Sequence, residues 1–170
     1  HVGKVAANIA MWSGAWTLVV FLGNSWYQLV AALVFAFLSV QTGFLAHDIG
    51  HGQMSSTRRL NNLLGYFHAN LLVGLSFGWW VQKHNRHHGH PNDVDVDPDT
   101  MIGVLEFSEE QAQAKRGLAR FITAHQASLF LPLLLLEGIH IEAAGTRWLL
   151  RTRGRGCRLE FLLIAAHFVF

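Results

Sequence analysis

Residues 79 to 99 read WWVQKHNRHHGHPNDVDVDPD, and the histidines at the centre of this stretch decide how the rest of the chain is interpreted. His84, His87 and His88 stand in an H-x-x-H-H pattern. On an α-helix, residues three and four apart share one face, so this pattern can aim three imidazoles at one volume. The spacing therefore predicts a helix that presents a group of metal ligands.

A second histidine pair lies upstream, in the stretch HDIGH. His47 and His51 are four residues apart and also share a helical face. A lone histidine is usually a packed structural residue, but five histidines in these two spacings favour a shared metal site. Asp48 and Asn85 stand beside these histidines and are candidates for hydrogen bonds that fix the tautomer of an imidazole. The alternative for both is an ordinary polar helix residue.

The composition is that of a membrane protein. Of the 170 residues, 51% are hydrophobic and 14% are charged. No charged residue occurs between Val5 and Ala46, which is room for two spans of roughly 20 residues each. We predict spans at about 5–22 and about 26–46, joined by a turn at Gly23 and Asn24. A cleaved signal peptide is the weaker interpretation, because the apolar run is too long.

The single cysteine, Cys157, excludes an intramolecular disulfide framework and a thiolate metal cage. A bound metal must therefore use nitrogen and oxygen ligands. The net charge of +2 is small, and Lys and Arg fall between the apolar runs as membrane flanks do. We expect a lipid bilayer as a partner and no nucleic acid.

The uncharged stretch from Leu63 to Val81 is long enough to span a membrane, but the metal site argues against it. A spanning segment would put the two histidine groups on opposite sides of a core about 30 Å thick, whereas metal–ligand bonds are about 2 Å long. We therefore predict that this stretch lies along the cytoplasmic face or dips into it, with His68 packed rather than a ligand. With Lys4 in the cytoplasm, the cytoplasmic region covers about 47–120.

Polar residues follow the second histidine group. Two prolines and four aspartates predict a solvated loop, with a docking patch for a basic partner as the alternative: Pro91, Pro98, Asp93, Asp95, Asp97 and Asp99. Ser108 with Gln111 three residues later has the form of a capping box. It predicts an amphipathic helix through Arg120.

A third apolar segment, about 121–141, contains Glu137 and His140. Ionisable residues at membrane depth are functional candidates, so His140, and His167 in a last segment at about 159–170, are candidates for supporting the metal ligands. The alternative for His140 is a position near the membrane interface, and the alternative for His167 is a packed structural residue. The intervening loop is the most basic of the chain, with Arg147, Arg151, Arg153, Arg155 and Arg158. Either the third segment is re-entrant or the positive-inside rule fails here.

The predicted fold class is an all-α integral membrane protein, in which transmembrane helical hairpins carry a cytoplasmic histidine-rich helical cap. The chain starts at His1 and stops at Phe170 inside an apolar run too short to span a membrane. We interpret it as a fragment of a longer protein.

The two histidine boxes, HDIGH and HNRHH, lie between hydrophobic hairpins and resemble those of the membrane fatty acid desaturase family. GLSFGWW followed by HNRHHGHPNDVDVDPD is similar to bacterial acyl-CoA or linoleoyl-CoA desaturases. The resemblance implies a di-iron centre on the cytoplasmic face, which uses dioxygen and two electrons to remove two hydrogens from an unactivated acyl chain. By position, the ligands it implies are His47, His51, His84, His87 and His88. The family's third histidine box is absent from this chain, so we expect the chain alone to be inactive.

The resemblance also implies a membrane-embedded acyl substrate. Four apolar residues are candidates for the wall of an acyl tunnel, with interfacial anchoring as the alternative: Leu75, Phe77, Trp79 and Trp80. No Gly-rich nucleotide fingerprint occurs, so electrons must come from a separate donor such as a ferredoxin, or a cytochrome b5-like protein with its reductase. The expected location is a multi-pass position in a bacterial cell membrane.

Two other classes of function stay open on the sequence. A related membrane hydroxylase or ketolase uses the same kind of metal site and differs in its product. A non-enzymatic protein is the second alternative, in which the histidines bind a transported metal ion or haem. Histidines at a span's end and in a polar loop are less typical of that class, which places its ligands at mid-membrane depth.

Overall fold

The computed structural model describes Val2–Val169, and within this range all of the regular secondary structure is helical. Eight α-helices and one π-helical segment follow in order: α1 (Val2–Leu22), α2 (Gln28–Gly50), α3 (Arg58–Gly65), the π-helical segment (Tyr66–Val73), α4 (Phe77–Gly89), α5 (Glu109–Ala114), α6 (Gly117–Ala124), α7 (Gln126–Arg151) and α8 (Arg155–His167). The all-α prediction is confirmed.

Three of these helices, α1, α2 and α7, are long and apolar enough to cross a membrane. The two N-terminal ones agree with the predicted spans, except that α2 continues to Gly50 and so includes His47. The third differs from the prediction: the chain turns at His125, and α7 runs from Gln126 to Arg151. Arg147 and Arg151 therefore belong to a helix and not to a loop.

The chain forms two compact units. The first contains the residues up to Phe77 together with those from Leu149 onward, and the second is Gly78–Trp148. In the first unit, α1 and α2 form an antiparallel hairpin around Trp12, Ala15 and Leu38. The π-helical segment packs on both α2 and α8, and it buries His68, Ala69 and Asn70. It is therefore the central element of this unit.

A buried polar network joins α1 to α2. The hydroxyl of Thr42 accepts hydrogen bonds from Asn8 Nδ2 (2.9 Å) and Trp12 Nε1 (2.8 Å), and it donates to Leu38 O (2.7 Å). Thr42 is completely buried. A polar contact of this kind in an apolar hairpin fixes the register of the two helices, because a shift would leave its donors without acceptors.

The stretch from Leu63 to Val81 is interrupted. The π-helical segment ends at Gly74, which has a left-handed φ of 84°, and α4 begins only at Phe77. A side chain on Gly74 would also meet the ring of His167, 2.7 Å from its Cδ2. The interruption agrees with the prediction that this apolar stretch is not one spanning helix, and its position relative to a membrane stays a prediction.

In the second unit, the helix predicted from Ser108 through Arg120 is divided. Ser108 caps it as expected, since its hydroxyl accepts from Gln111 N (3.2 Å). However, α5 ends at Ala114, and Gly117, with a φ of 58°, starts α6. The Lys115 ammonium pairs with Glu106 Oε1 at 2.7 Å, which holds the chain in the extended break. The prediction of a single amphipathic helix was wrong.

The last segment also differs from its predicted range. Helix α8 begins at Arg155 rather than near Leu159, and its 13 residues end at His167. Its buried Glu160 accepts hydrogen bonds from Asn70 Nδ2 (3.0 Å) and Ser76 Oγ (2.9 Å). These bonds tie α8 to the π-helical segment and to the turn that precedes α4.

Candidate metal centre

The first histidine pair lies at the end of α2. His47 is in the last turn, and His51 caps the helix by donating its backbone N–H to His47 O at 3.1 Å. Their ring centroids are 4.6 Å apart and the rings are tilted by 67°. The i, i+4 spacing thus brings the two imidazoles together, as the sequence predicted.

Asp48, a predicted partner of these imidazoles, lies closer to a lysine. Its Oδ2 is 2.8 Å from Lys4 Nζ, whereas its Oδ1 is 3.9 Å from His47 Nδ1. The longer distance exceeds a hydrogen bond. The carboxylate of Asp48 therefore connects α2 to the start of α1.

The second histidine group lies on α4. The Nε2 atoms of His84 and His88 are 3.0 Å apart, and the two rings are nearly perpendicular, at 86°. The indole of Trp80 stacks on the ring of His84 with a centroid distance of 4.5 Å and an angle of 17°. Stacking restricts how far this imidazole can rotate. The pair thus offers two nitrogens to one point in space.

The separation of these two nitrogens is compatible with binding of one metal ion. Metal–imidazole bonds are about 2.1 Å long, so two nitrogens at adjacent positions of one ion lie about 3 Å apart. Without a metal, the same 3.0 Å distance suits a hydrogen bond in which one ring donates its N–H to the lone pair of the other. The residues present therefore fit a bound metal.

His87 is on the same helix but is held differently. Its ring centroid lies 6.2 Å from that of His84 and 5.7 Å from that of His88. Its Nδ1 lies 2.9 and 3.0 Å from the two carboxylate oxygens of Asp97. The H-x-x-H-H pattern thus places all three rings along one side of α4, and one of them is anchored by a carboxylate.

Asp97 is a site residue that the sequence did not identify. It was predicted to lie in a solvated loop, but it is completely buried, whereas Asp93 and Asp95 are exposed. Besides His87, it accepts hydrogen bonds from Asn92 N (2.8 Å) and Asp99 N (2.9 Å). The signal available was the Asp-Pro dipeptide, which favours a turn closed by the aspartate side chain.

These contacts keep Asp97 ionised. Burial by itself acts to raise the pKa of this carboxyl and is the largest single influence on it. The hydrogen bonds that the carboxylate accepts from Asp99 N, His87 and Asn92 N act in the opposite direction, and the pKa of Asp97 is lowered from 3.8 to about 2. Asp97 is therefore a carboxylate at neutral pH and can only accept hydrogen bonds.

The other predicted supporting residues lie in varied surroundings. Asn85 is exposed on α4. His140 Nδ1 lies 3.3 Å from Glu137 Oε2 on α7, and His167 Nδ1 lies 3.0 Å from Leu71 O. His68 is buried as predicted, with Nδ1 2.7 Å from Leu64 O, and burial lowers its pKa.

The four predicted tunnel residues occupy the turn before α4 and its first turn. Phe77 is buried against Gly65 and Tyr66, with a ring distance of 6.0 Å to Tyr66. Leu75 and Trp79 are partly buried, and Trp80 stacks on His84. At least one of these aromatic side chains therefore supports a histidine directly.

Apolar cavities occur in both units. One of about 640 Å³ in the first unit is lined by Trp12, Trp16, Phe35, Leu71, Leu72 and His167, among others. One of about 410 Å³ in the second unit is lined by Ile102, Leu105, Phe107 and Phe130, with Glu137 and His140. Both are lined mainly by apolar side chains.

The described chain thus combines the α1–α2 hairpin with two histidine pairs at i, i+4 spacing, and comparison with known families identifies its class. Residues 24–170 match the family model described as fatty acid desaturase, and the chain belongs to this family. The predicted resemblance to the membrane fatty acid desaturase family is confirmed at the level of the family. No solved structure matches the chain.

Several curated proteins are similar to the chain. An acyl-lipid (9-3)-desaturase of Borago officinalis is 31% identical over 157 residues, covering 85% of this chain and 35% of that protein. An acyl-lipid (9-3)-desaturase of Physcomitrium patens is 36% identical over 79% of this chain and 27% of its own length. Fatty acid desaturase 3 of Bos taurus is 31% identical over 79% of this chain and 32% of its own length. The chain thus spans about a third of the length of these relatives, which are eukaryotic.

Proposed function

We propose that this chain carries part of the metal centre of an oxygen-dependent fatty acyl desaturase. The observation that carries the proposal is the pair of Nε2 atoms of His84 and His88, 3.0 Å apart on α4, in a chain of the fatty acid desaturase family. Two imidazoles on adjacent turns of one helix are a typical metal-binding arrangement.

The proposed ligands are the five histidines of the two boxes: His47, His51, His84, His87 and His88. Nitrogen ligands without thiolates suit iron, and the proposed cofactor is a pair of iron ions. When bound, iron would supply the redox chemistry by which dioxygen removes two hydrogens from an unactivated acyl chain. The residues of the chain hold the imidazoles in place. Trp80 restricts His84 by stacking, and the helical backbone sets the spacing within each pair.

The proposed substrate is a fatty acyl chain in the membrane. The names of the relatives include acyl-lipid and sphingolipid desaturases, which supports a lipid-linked acyl chain beside the predicted acyl-CoA. Leu75, Trp79 and Trp80 remain candidates for the wall that excludes water from this chain, and Phe77 is proposed to support them from the interior. An apolar wall places the methylene groups by shape alone, because these groups offer no hydrogen bond.

The proposed setting is a multi-pass membrane protein with residues 47–120 and both histidine groups on the cytoplasmic side. Helices α1, α2 and α7 are its proposed spans, and 1–170 is one partial desaturase domain. A bacterial cell membrane remains part of the proposal. The proposed electron donor is a separate ferredoxin, or a cytochrome b5-like protein with its reductase.

The test is the acyl composition of a host that expresses the natural protein carrying this chain. We expect acyl chains that are two hydrogens lighter, measured by gas chromatography and mass spectrometry. His84→Ala and His88→Ala should abolish this product. His90→Ala is the matched control, since His90 is exposed on the same segment and lies outside the H-x-x-H-H pattern.

Two results would contradict the proposal. Formation of the desaturated product by His88→Ala would refute the assignment of His88 as a metal ligand. Acyl chains that gain an oxygen atom instead of losing two hydrogens would show the hydroxylase alternative.

A further inference from the structure

We propose that Asp97 is a positioning residue for the metal centre: it holds His87 in the tautomer that carries hydrogen on Nδ1, so that Nε2 presents its lone pair to a metal. The inference rests on the proposed function, because it assigns His87 Nε2 as a ligand atom. Asp97 lies outside both histidine boxes, so the inference extends the functional site beyond them.

The ring of His87 lies close to both carboxylate oxygens of Asp97. His87 Nδ1 lies 2.9 Å from one oxygen of Asp97 and 3.0 Å from the other. Asp99 Oδ2 is farther from the same nitrogen, at 3.4 Å. Asp97 is therefore the principal partner of this ring.

The direction of the hydrogen bond follows from the carboxylate. Each oxygen of Asp97 already accepts a backbone N–H, from Asn92 or from Asp99, so the side chain faces His87 as an acceptor and Nδ1 is the donor. In a neutral imidazole, hydrogen on Nδ1 leaves the lone pair on Nε2. Metal-bound histidines in proteins generally donate their other ring nitrogen to a carboxylate or carbonyl in this way, which fixes both tautomer and ring orientation.

The loop that contains Asp97 holds the carboxylate of this residue in place through its own hydrogen bonds. Each oxygen of Asp97 also accepts one backbone N–H, Asn92 N on Oδ2 and Asp99 N on Oδ1. Asn92 adopts a left-handed φ of 64° to make its bond. Thr100 Oγ1 donates to the backbone oxygens of Asp93 and Asp97, both at 3.0 Å, and so closes the loop beneath the aspartate. The position of the carboxylate is thus set independently of His87.

A separate cation site made of His87, Asp97 and Asp99 is the competing interpretation, since their ligand atoms lie within 4.8 Å of one another. Two observations disfavour it. Both oxygens of Asp97 already accept backbone N–H groups, and the carboxylate of Asp99 pairs with the Lys83 ammonium. A lysine beside the acids already supplies the positive charge that a cation would bring.

The first experiment reads the tautomer directly and needs no metal. The natural protein carrying this chain is labelled with ¹⁵N-histidine in detergent micelles, and His87→Gln identifies the His87 ring signals. In the wild type we expect hydrogen on Nδ1. In Asp97→Asn the amide NH₂ becomes a donor facing the ring, so the hydrogen should shift towards Nε2.

Two variants serve as matched controls. Asp95→Asn removes the same charge from an exposed position of the same loop. Thr100→Val keeps the carboxylate but removes the hydroxyl bonds that close the loop. Both should leave the His87 hydrogen on Nδ1. A shift in Thr100→Val equal to that in Asp97→Asn would show that loop order, and not the carboxylate, sets the tautomer, and would overturn the inference.

The second experiment measures binding of Fe(II) to the same proteins without oxygen, by calorimetry. Loss of a partner that orients a metal ligand typically weakens metal binding about 10–100-fold, and we expect a change of this size in Asp97→Asn. Asp95→Asn should bind Fe(II) as the wild type does. Equal affinities of Asp97→Asn and Asp95→Asn would overturn the inference.

The two experiments separate this inference from the proposed function. If the wild type binds no Fe(II), the proposed metal centre fails, and the metal-facing role of Nε2 fails with it, whatever the tautomer. If the wild type binds Fe(II) but Asp97→Asn keeps hydrogen on Nδ1, the centre stands and the role of Asp97 is refuted. If the wild type binds Fe(II), a variant without the Asp99 carboxylate does not, and a variant without the His84 ring still does, the separate cation site replaces the inference.

Discussion

Replacement of Thr42 by valine tests how the N-terminal hairpin is held together. Valine has nearly the same shape as threonine but lacks the hydroxyl that accepts from Asn8 Nδ2 and Trp12 Nε1. Thr42 is fully buried and Asn8 is 3% exposed, so water does not replace the lost acceptor within this unit. We expect Thr42→Val to destabilise the packing of α1 on α2.

The expected loss follows from the two orphaned donors. In water-soluble proteins a buried donor without an acceptor costs about 1–3 kcal/mol, which would give about 2–6 kcal/mol here. Hydrogen bonds between membrane helices are weaker, with an average of about 0.6 kcal/mol and a maximum near 1.7 kcal/mol each. Because α1 and α2 are apolar enough to span a membrane, the second scale applies, and we expect about 1–3 kcal/mol.

The assay is reversible unfolding of the protein in mixed micelles of increasing SDS content. Thr17→Val is the matched control: Thr17 is exposed on α1, and its hydroxyl bonds only to Ser13 O of its own helix, at 2.8 Å. Thr42→Ser keeps the hydroxyl and should recover most of the loss. Equal stability of Thr42→Val and Thr17→Val would refute the role assigned to this network.

Three further outcomes are expected. Glu160→Ala should cost about 1–3 kcal/mol in SDS unfolding, because it removes the acceptor of the buried Asn70 Nδ2. Glu160→Gln keeps an acceptor and should cost much less; equal losses in the two variants would contradict this. Gly74→Ala should cost about 1–2 kcal/mol from its left-handed backbone alone, and a neutral result would show that the turn does not need glycine. The folded-state pKa of Asp97 is about 2, below the ordinary 3.8, so its contribution to loop stability is complete above pH 3.8 and is lost as pH falls through about 2. Pepsin cleavage between residues 90 and 100, normalised to an unstructured peptide, should rise in that window, and a rise confined to higher pH would contradict the assignment.

The histidine pairs could be predicted because they depend on local geometry. A spacing of four residues places His47 beside His51 and His84 beside His88 on any regular helix, whatever surrounds them. The three apolar helices were recognised for a similar reason, since length and composition are sufficient. These features need only the order of residues along one element.

Asp97 could not be predicted in the same way, because its role depends on a contact ten residues away. Four aspartates alternate along the loop, and only the folded loop distinguishes the buried one from its exposed neighbours. The interruption at Lys115 has a similar cause, since its ammonium pairs with Glu106 from an earlier segment. Periodicity continued across this point and gave no signal of the break.

The most direct test of the central proposal is the amount of iron that the natural protein carrying this chain retains after replacement of one histidine from each box. If both boxes contribute to one centre, His51→Ala and His84→Ala should each lose the iron that the wild type binds, while His90→Ala should keep it. Full retention of iron in either of the first two variants would show that the boxes do not share a metal centre.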